Sequence, residues 1–183
     1  MLILLFSLIA ATVCAPLLIR TLGRPAFALL ALVPGIGFFW VLQQLVQGTL
    51  SHRSSIEWMS AAHLSLDFRL DGLAALFSLI ILGIGALVLL YCWGYFDTNP
   101  IRLSIFGAEM VGFALAMYGL VISDSLLLMY IFWELTSLLS FLLVSYYGER
   151  ASSRRSATQA FMITVAGGLS MLVGIILLGR QTG

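Results

Sequence analysis

The sequence contains no lysine: all nine of its basic residues are arginine. Charge of either sign is scarce, at 9% of the 183 residues, whereas a soluble domain carries about 25%. The formal net charge is +1, so neither a nucleic-acid partner nor an acidic one is implied. Only two cysteines occur, Cys14 and Cys92, each isolated inside an apolar run. Their isolation excludes a disulfide framework or a cysteine metal cluster, and both read as small buried hydrophobes. The two histidines, His52 and His63, fall in one polar stretch and read as ordinary surface residues. No phosphate-binding loop, metal-ligand spacing or nucleophile–base arrangement is present, so no cofactor and no metal are expected.

What the chain has in excess is apolar sequence, 61% of its residues, gathered into long runs. A bilayer-spanning helix needs roughly 20 such residues. Six segments qualify, at about 2–19, 26–46, 73–96, 103–122, 125–147 and 156–178. The chain is therefore expected to be an all-α integral membrane protein of six transmembrane helices in a single membrane domain. The first run has no positive charge before it and Arg20 and Arg24 after it, the reverse of a secretory signal peptide, so it reads as a retained helix.

The breaks between the runs carry turn and capping chemistry. Pro25 is placed to start the second helix. Asp97-Thr98-Asn99-Pro100 reads as a polar turn, and Ser123 or Asp124 as the cap of the fifth helix. The stretch 47–71 is too long and polar for a simple turn. Its segments Ile56–Met59 and His63–Leu70 alternate with period two, which predicts an extramembrane β-hairpin between helices 2 and 3. One set of connections holds Arg20, Arg24, Arg102, Arg150, Arg154 and Arg155; the other holds Arg53, Arg69 and Arg180. The arginine-rich side is expected to be cytoplasmic, with both termini and the hairpin outside. Trp40, Trp93 and Tyr95 are placed as interface anchors.

Two acids lie inside the apolar runs. Glu134 is ten residues into helix 5, roughly 15 Å deep at 1.5 Å per residue and so near mid-bilayer. A carboxyl there must face protein or water and find a partner. Desolvation raises its proton affinity and a nearby cation lowers it, the conditions for exchanging a proton; the competing reading is a protonated structural carboxyl bonded to Thr136, Ser137 or a neighbouring helix. Glu109 lies seven residues past Arg102, roughly 10 Å into helix 4. It is either an entry-path acid or an interfacial one that snorkels or pairs with arginine. Ser137 and Ser140 follow Glu134 on roughly its face and are possible accessory groups, although such serines commonly bond their own backbone. Gly167-Gly168 with Ser170 reads as a small-residue packing face on helix 6.

Helix 5, with Ser123-Asp124-Ser125-Leu126-Leu127-Leu128-Met129-Tyr130-Ile131-Phe132-Trp133-Glu134-Leu135-Thr136-Ser137, resembles the large A subunit of Mrp-type multisubunit cation/proton antiporters. So do Phe141–Tyr147, Leu70-Asp71-Gly72-Leu73 and Ile163–Leu169. The superfamily includes the antiporter-like subunits of respiratory complex I. Those relatives commonly carry Arg and Asp in helix 6, where this chain has Val165 and Gly168, and continue Trp-Glu with Gly rather than Leu-Thr-Ser. Both differences favour the Mrp side. The resemblance implies a proton path through the membrane centre, in which the helix-5 acid, here Glu134, pairs with a lysine on the next helix. This chain holds no lysine, so it looks like a truncated or split N-terminal part of the full subunit. Its implied partners are the missing C-terminal helices, the other subunits of the complex, protons and a monovalent cation. Two alternatives stay open: a proton-pumping membrane-arm subunit of an NADH:quinone oxidoreductase, and an assembly scaffold without transport of its own.

Overall fold

The computed structural model describes residues 1–50, 52–59, 64–96, 100–147 and 151–182. The elements are α1 (Leu2–Leu22), α2 (Pro25–Gln47), β1 (His52–Met59), β2 (Leu64–Leu70), α3 (Gly72–Tyr95), α4 (Pro100–Ile122), α5 (Leu126–Val144), a 3-10 turn (Ser145–Tyr147) and α6 (Ala151–Thr182). All six α-helices are long and apolar enough to cross a bilayer. The chain is an all-α membrane protein with one small two-stranded sheet between α2 and α3. His63, the expected turn residues 97–99, and residues 148–150 of the charged stretch lie outside the described residues.

Local chemistry sets the helix ends. Pro25, which has no amide hydrogen to strand, opens α2. Gly48 closes it at φ 67°, a left-handed conformation that glycine adopts without Cβ strain. Asp71 caps α3, its carboxylate accepting from the Ala74 amide at 2.9 Å. The cap of α5 is Ser125, whose hydroxyl oxygen accepts from the Leu128 amide at 3.2 Å, and not Ser123 or Asp124. Ser123 is committed elsewhere: its hydroxyl donates to the Gly119 carbonyl at the end of α4. Asp124 is held by the hairpin. α6 starts at Ala151, ahead of the apolar run. Hydropathy marks only the bilayer-crossing portion of a helix, and polar turns that continue it into water escape the criterion.

The hairpin is antiparallel, in register from His52↔Leu70 to Met59↔Leu64, with one irregularity between Glu57 and Met59. β1 begins at His52, four residues before the alternating stretch. Phe68 and Leu70 turn inward and join a core with Leu4, Leu8, Tyr118, Ile122 and Leu128. A second core, around Ile19, Phe27, Leu30, Leu89 and Phe106, lies at the other end of the bundle.

α4 is the central helix, packed on α1, α3 and α5. Glycines allow its close approaches: a Cβ at Gly107 would strike Ile19 of α1, and one at Gly119 would strike Phe132 of α5. α6 rests on α5 and the 3-10 turn, with Met162, Ile163, Leu169, Val173, Ile176 and Leu177 more than half exposed. Apolar exposure of this kind suits lipid or another helix, not water. Trp93 and Tyr95 are exposed in the last turn of α3, where Tyr95 stacks on Tyr91 at 5.1 Å. Cys92 is buried as expected, whereas Cys14 is exposed on α1. An apolar spanning run gives no sign of which face meets protein and which meets lipid, so the two cysteines looked alike in sequence.

Candidate functional site

Glu134 is the ninth of the 19 residues of α5 and therefore sits at its midpoint. Its Oε1 is buried and has no hydrogen-bond partner. The side chain reaches across to α6 at Gly168, where an added Cβ would collide with Oε1. The same antiparallel register brings Phe141 of α5 against Phe161 of α6, with ring centroids 4.9 Å apart. Each pair is seven residues, two helical turns, from the other on both helices. Gly168 thus serves as the floor of a recess for the carboxyl, a more specific role than general close packing.

The hydroxyls that were candidates to satisfy this carboxyl do not do so. Ser137 is buried and donates to the Trp133 carbonyl at 3.2 Å; Thr136 donates to the same carbonyl at 2.7 Å. Ser140 is exposed. Ser170 bonds back to the Ala166 carbonyl. Thr136, Ser137 and Ser170 each find an acceptor within their own helix, as such side chains commonly do in apolar surroundings.

Glu109 is half-buried on α4 but belongs to a different level of the bundle. Gly112 meets Leu139, and Gly119 meets Phe132. That antiparallel register places Glu134 level with Met117, so Glu109 lies about 12 Å further along the helix axis. The two acids do not form one site. Among the described residues, no group of three His, Cys, Asp or Glu side chains converges as metal ligands.

A second polar cluster joins the hairpin to the α4–α5 turn. Arg69 pairs with Asp71 at 2.8 Å and with Asp124 at 3.5 Å, and Arg53 approaches Asp124 at 3.4 Å. The Asp124 amide donates to the Asp67 carbonyl at 2.8 Å, and Phe68 bridges to Ser123 as an isolated β-pair. An open recess of about 310 Å³ lies here, lined in part by Arg69, Asp71, Ser123 and Asp124. The Ala74 amide and the Arg69 guanidinium hold the Asp71 carboxyl below the usual carboxylate range. Apart from the local Arg69–Asp71 pair, the links of this cluster run to Ser123 and Asp124 from residues more than fifty positions away, so the local sequence does not signal it.

Residues 123–183 match the family model for the transmembrane region of NADH:quinone oxidoreductase and Mrp antiporter proteins. Residues 58–102 match the model for the N-terminus of complex I chain 5. The chain is 40% identical over 187 residues to "Putative antiporter subunit mnhA2" of Staphylococcus aureus strain MRSA252, covering 98% of this chain and 23% of that protein. It is 43% identical over 170 residues to the protein of the same name from Staphylococcus haemolyticus, covering 91% and 21% respectively. The chain therefore spans about a fifth of the length of these curated relatives. Among solved structures, it is similar to a chain of the Mrp complex from Dietzia sp. DQ12-45-1b, with TM-score 0.86 and 32% identity, covering 99% of this chain and 19% of that one. It shares a fold with a chain of an archaeal membrane-bound sulfane sulfur reductase, at TM-score 0.77 and 17% identity, covering 93% and 35%.

Proposed function

We propose that this chain, which corresponds in sequence and fold to the N-terminal part of the Mrp-type antiporter A subunit, contributes an intramembrane proton-relay carboxyl, Glu134, to a monovalent cation/proton antiporter. The observation that carries the proposal is the placement of that carboxyl. It lies at the middle of an apolar spanning helix, with one oxygen buried and unbonded in a recess against Gly168. An acidic side chain at the bilayer centre costs about 3 kcal/mol on insertion scales. No hydrogen bond within the described residues offsets that cost at Oε1. A carboxyl with a small apolar floor and no fixed donor can change its protonation without breaking a local bond, whereas a structural acid is bonded. Glu109, nearer the cytoplasmic end of α4, is the candidate entry acid on this reading.

The protein that completes the path packs on α6. Its uncovered apolar face receives further helices of the same subunit, and the lysine that the resemblance pairs with Glu134 comes from them, since this chain has none. The other partners are the remaining subunits of a multisubunit complex. Reconstituted alone, the chain is expected to give no cation-dependent proton flux above that of empty liposomes. Robust flux from the purified chain would overturn the proposal that the path needs those helices. The match of residues 58–102 to complex I chain 5 supports a second reading, a membrane-arm subunit of an NADH:quinone oxidoreductase. Flavin and iron–sulfur subunits encoded beside it would favour that reading; other Mrp subunits would favour the first.

The arginine distribution sets the orientation proposed for this multi-pass protein in the plasma membrane, with both termini and the hairpin outside and the α5–α6 connection cytoplasmic. A cysteine introduced at Ser152, in the first turn of α6, is expected to resist an impermeant thiol reagent in intact cells expressing the whole complex. Rapid labelling from outside would invert the orientation.

A further inference from the structure

We propose that the hairpin is a latch that positions α5, and that Arg69 and Asp124 are its positioning residues for the Glu134 carboxyl; this rests on the reading of Glu134 as the relay group. α5 packs on α4 and α6, but within this chain only Leu128 and Ser137 are buried on it. The two residues before its cap, by contrast, are tied down repeatedly. Asp124, immediately before the Ser125 cap, receives Arg69 and Arg53 on its carboxylate and donates its amide to Asp67. Ser123 pairs with Phe68 through the backbone. Arg69 also grips Asp71, the cap of α3, so one guanidinium ties together the starts of two spanning helices.

The apolar contacts of Phe68 and Leu70 with Ile122 and Leu128 draw the hairpin onto the bundle. Such contacts are non-directional. The backbone links to Asp67 and Phe68 are directional, and together with the Arg53 and Arg69 contacts on Asp124 they set the rotation and height of α5 about its axis. Ten residues on from Asp124, the Glu134 carboxyl lies close over Gly168, where an added Cβ would overlap Oε1. A small rotation of α5 would take the carboxyl out of its recess. A single exposed ion pair is weak. The tie here is shared among two arginines, two carboxylates and two backbone links, and with the Arg53 and Arg69 side chains 70% and 42% exposed its firmness comes from the number of links and from the backbone pairs.

The test uses the complete assembled complex and two readouts: exchange rate per assembled complex, and the rate at which dicyclohexylcarbodiimide modifies Glu134, followed by mass spectrometry of its peptide. Arg69→Gln and Asp124→Asn are each expected to slow exchange about fivefold, the low end of ordinary coupling between sites, and to shift Glu134 modification by a similar factor. The double variant should be no worse than the more damaged single one, and Arg69→Lys should recover much of both readouts. Should Arg69→Gln fail to assemble, Asp124→Asn decides by the same criteria, since it leaves the Arg69–Asp71 pair and the apolar packing in place. Assembled variants with wild-type exchange and wild-type modification at Glu134 would overturn the latch. A shifted modification rate with unchanged exchange would uphold it and count instead against Glu134 as the transport group.

Discussion

Replacing Glu134 by Gln is expected to reduce proton-coupled exchange by roughly 100-fold or more, the scale on which removal of a positioned proton-transfer group is felt. Assembly should be largely preserved. Gln is nearly isosteric, so it fits the recess over Gly168 as Glu does, and its amide is less costly at mid-bilayer than a charge. It can neither bind and release a proton nor supply the negative charge that tunes a cationic partner. Two readings of the carboxyl therefore separate cleanly. A merely packed, protonated acid should tolerate Gln with little loss. Glu134→Asp keeps the charge and withdraws it by about one methylene, and an intermediate rate is expected because small misplacements of a reacting group are costly. Exchange would be measured in everted vesicles and normalised to assembled complex. Wild-type rates for Glu134→Gln would leave Glu134 as a structural acid and end the proposed function in its present form.

The spans and the mid-helix acid were legible because each depends on composition along one segment. Apolar run length locates the crossing helices, and a lone carboxyl stands out against Tyr130-Ile131-Phe132-Trp133 and Leu135. The hairpin was legible from its period of two, although β1 reaches back to His52, where the alternation gives way to polar residues. What stayed hidden depends on register between helices or on distant partners. Ser123-Asp124 looked like a cap because both can accept from free amides. Only the folded chain shows Ser123 bonded to Gly119 and Asp124 drawn to Arg53, Arg69 and Asp67, leaving Ser125 to cap. Ser137 and Ser140 looked like possible ligands of the carboxyl on helical spacing alone. The intrahelical acceptor at Trp133 takes Ser137, and rotation about the axis leaves Ser140 exposed. Gly167 and Gly168 were indistinguishable as neighbours in a small-residue stretch, yet they face opposite environments.

That last distinction yields a sharp expectation: Gly168→Ala should impair exchange by roughly tenfold or more, while Gly167→Ala should leave it nearly unchanged. Helix propensity predicts that both substitutions stabilise α6, since Ala is favoured over Gly by about 1 kcal/mol in a helix interior. Space decides otherwise. A Cβ at Gly167 meets nothing within 4 Å, and the residue is exposed. A Cβ at Gly168 overlaps Glu134 Oε1, the far end of a flexible side chain, so the carboxyl swings out of its recess at little packing cost. Because the colliding atom belongs to the proposed relay group, the damage should appear in transport before it appears in assembly. The two positions should also be coupled. Combining Gly168→Ala with Glu134→Gln should be no worse than Glu134→Gln alone, since the recess matters only when the group it holds can carry a proton. Combining it with Glu134→Asp should recover part of the loss, because the shorter side chain draws the carboxyl back from the new methyl. Exchange in everted vesicles across this set, with each complex quantified after purification, checks all of these outcomes. Equal, additive effects of the two alanines would show that α6 answers to general packing and that the meeting of Glu134 with Gly168 has no part in moving protons.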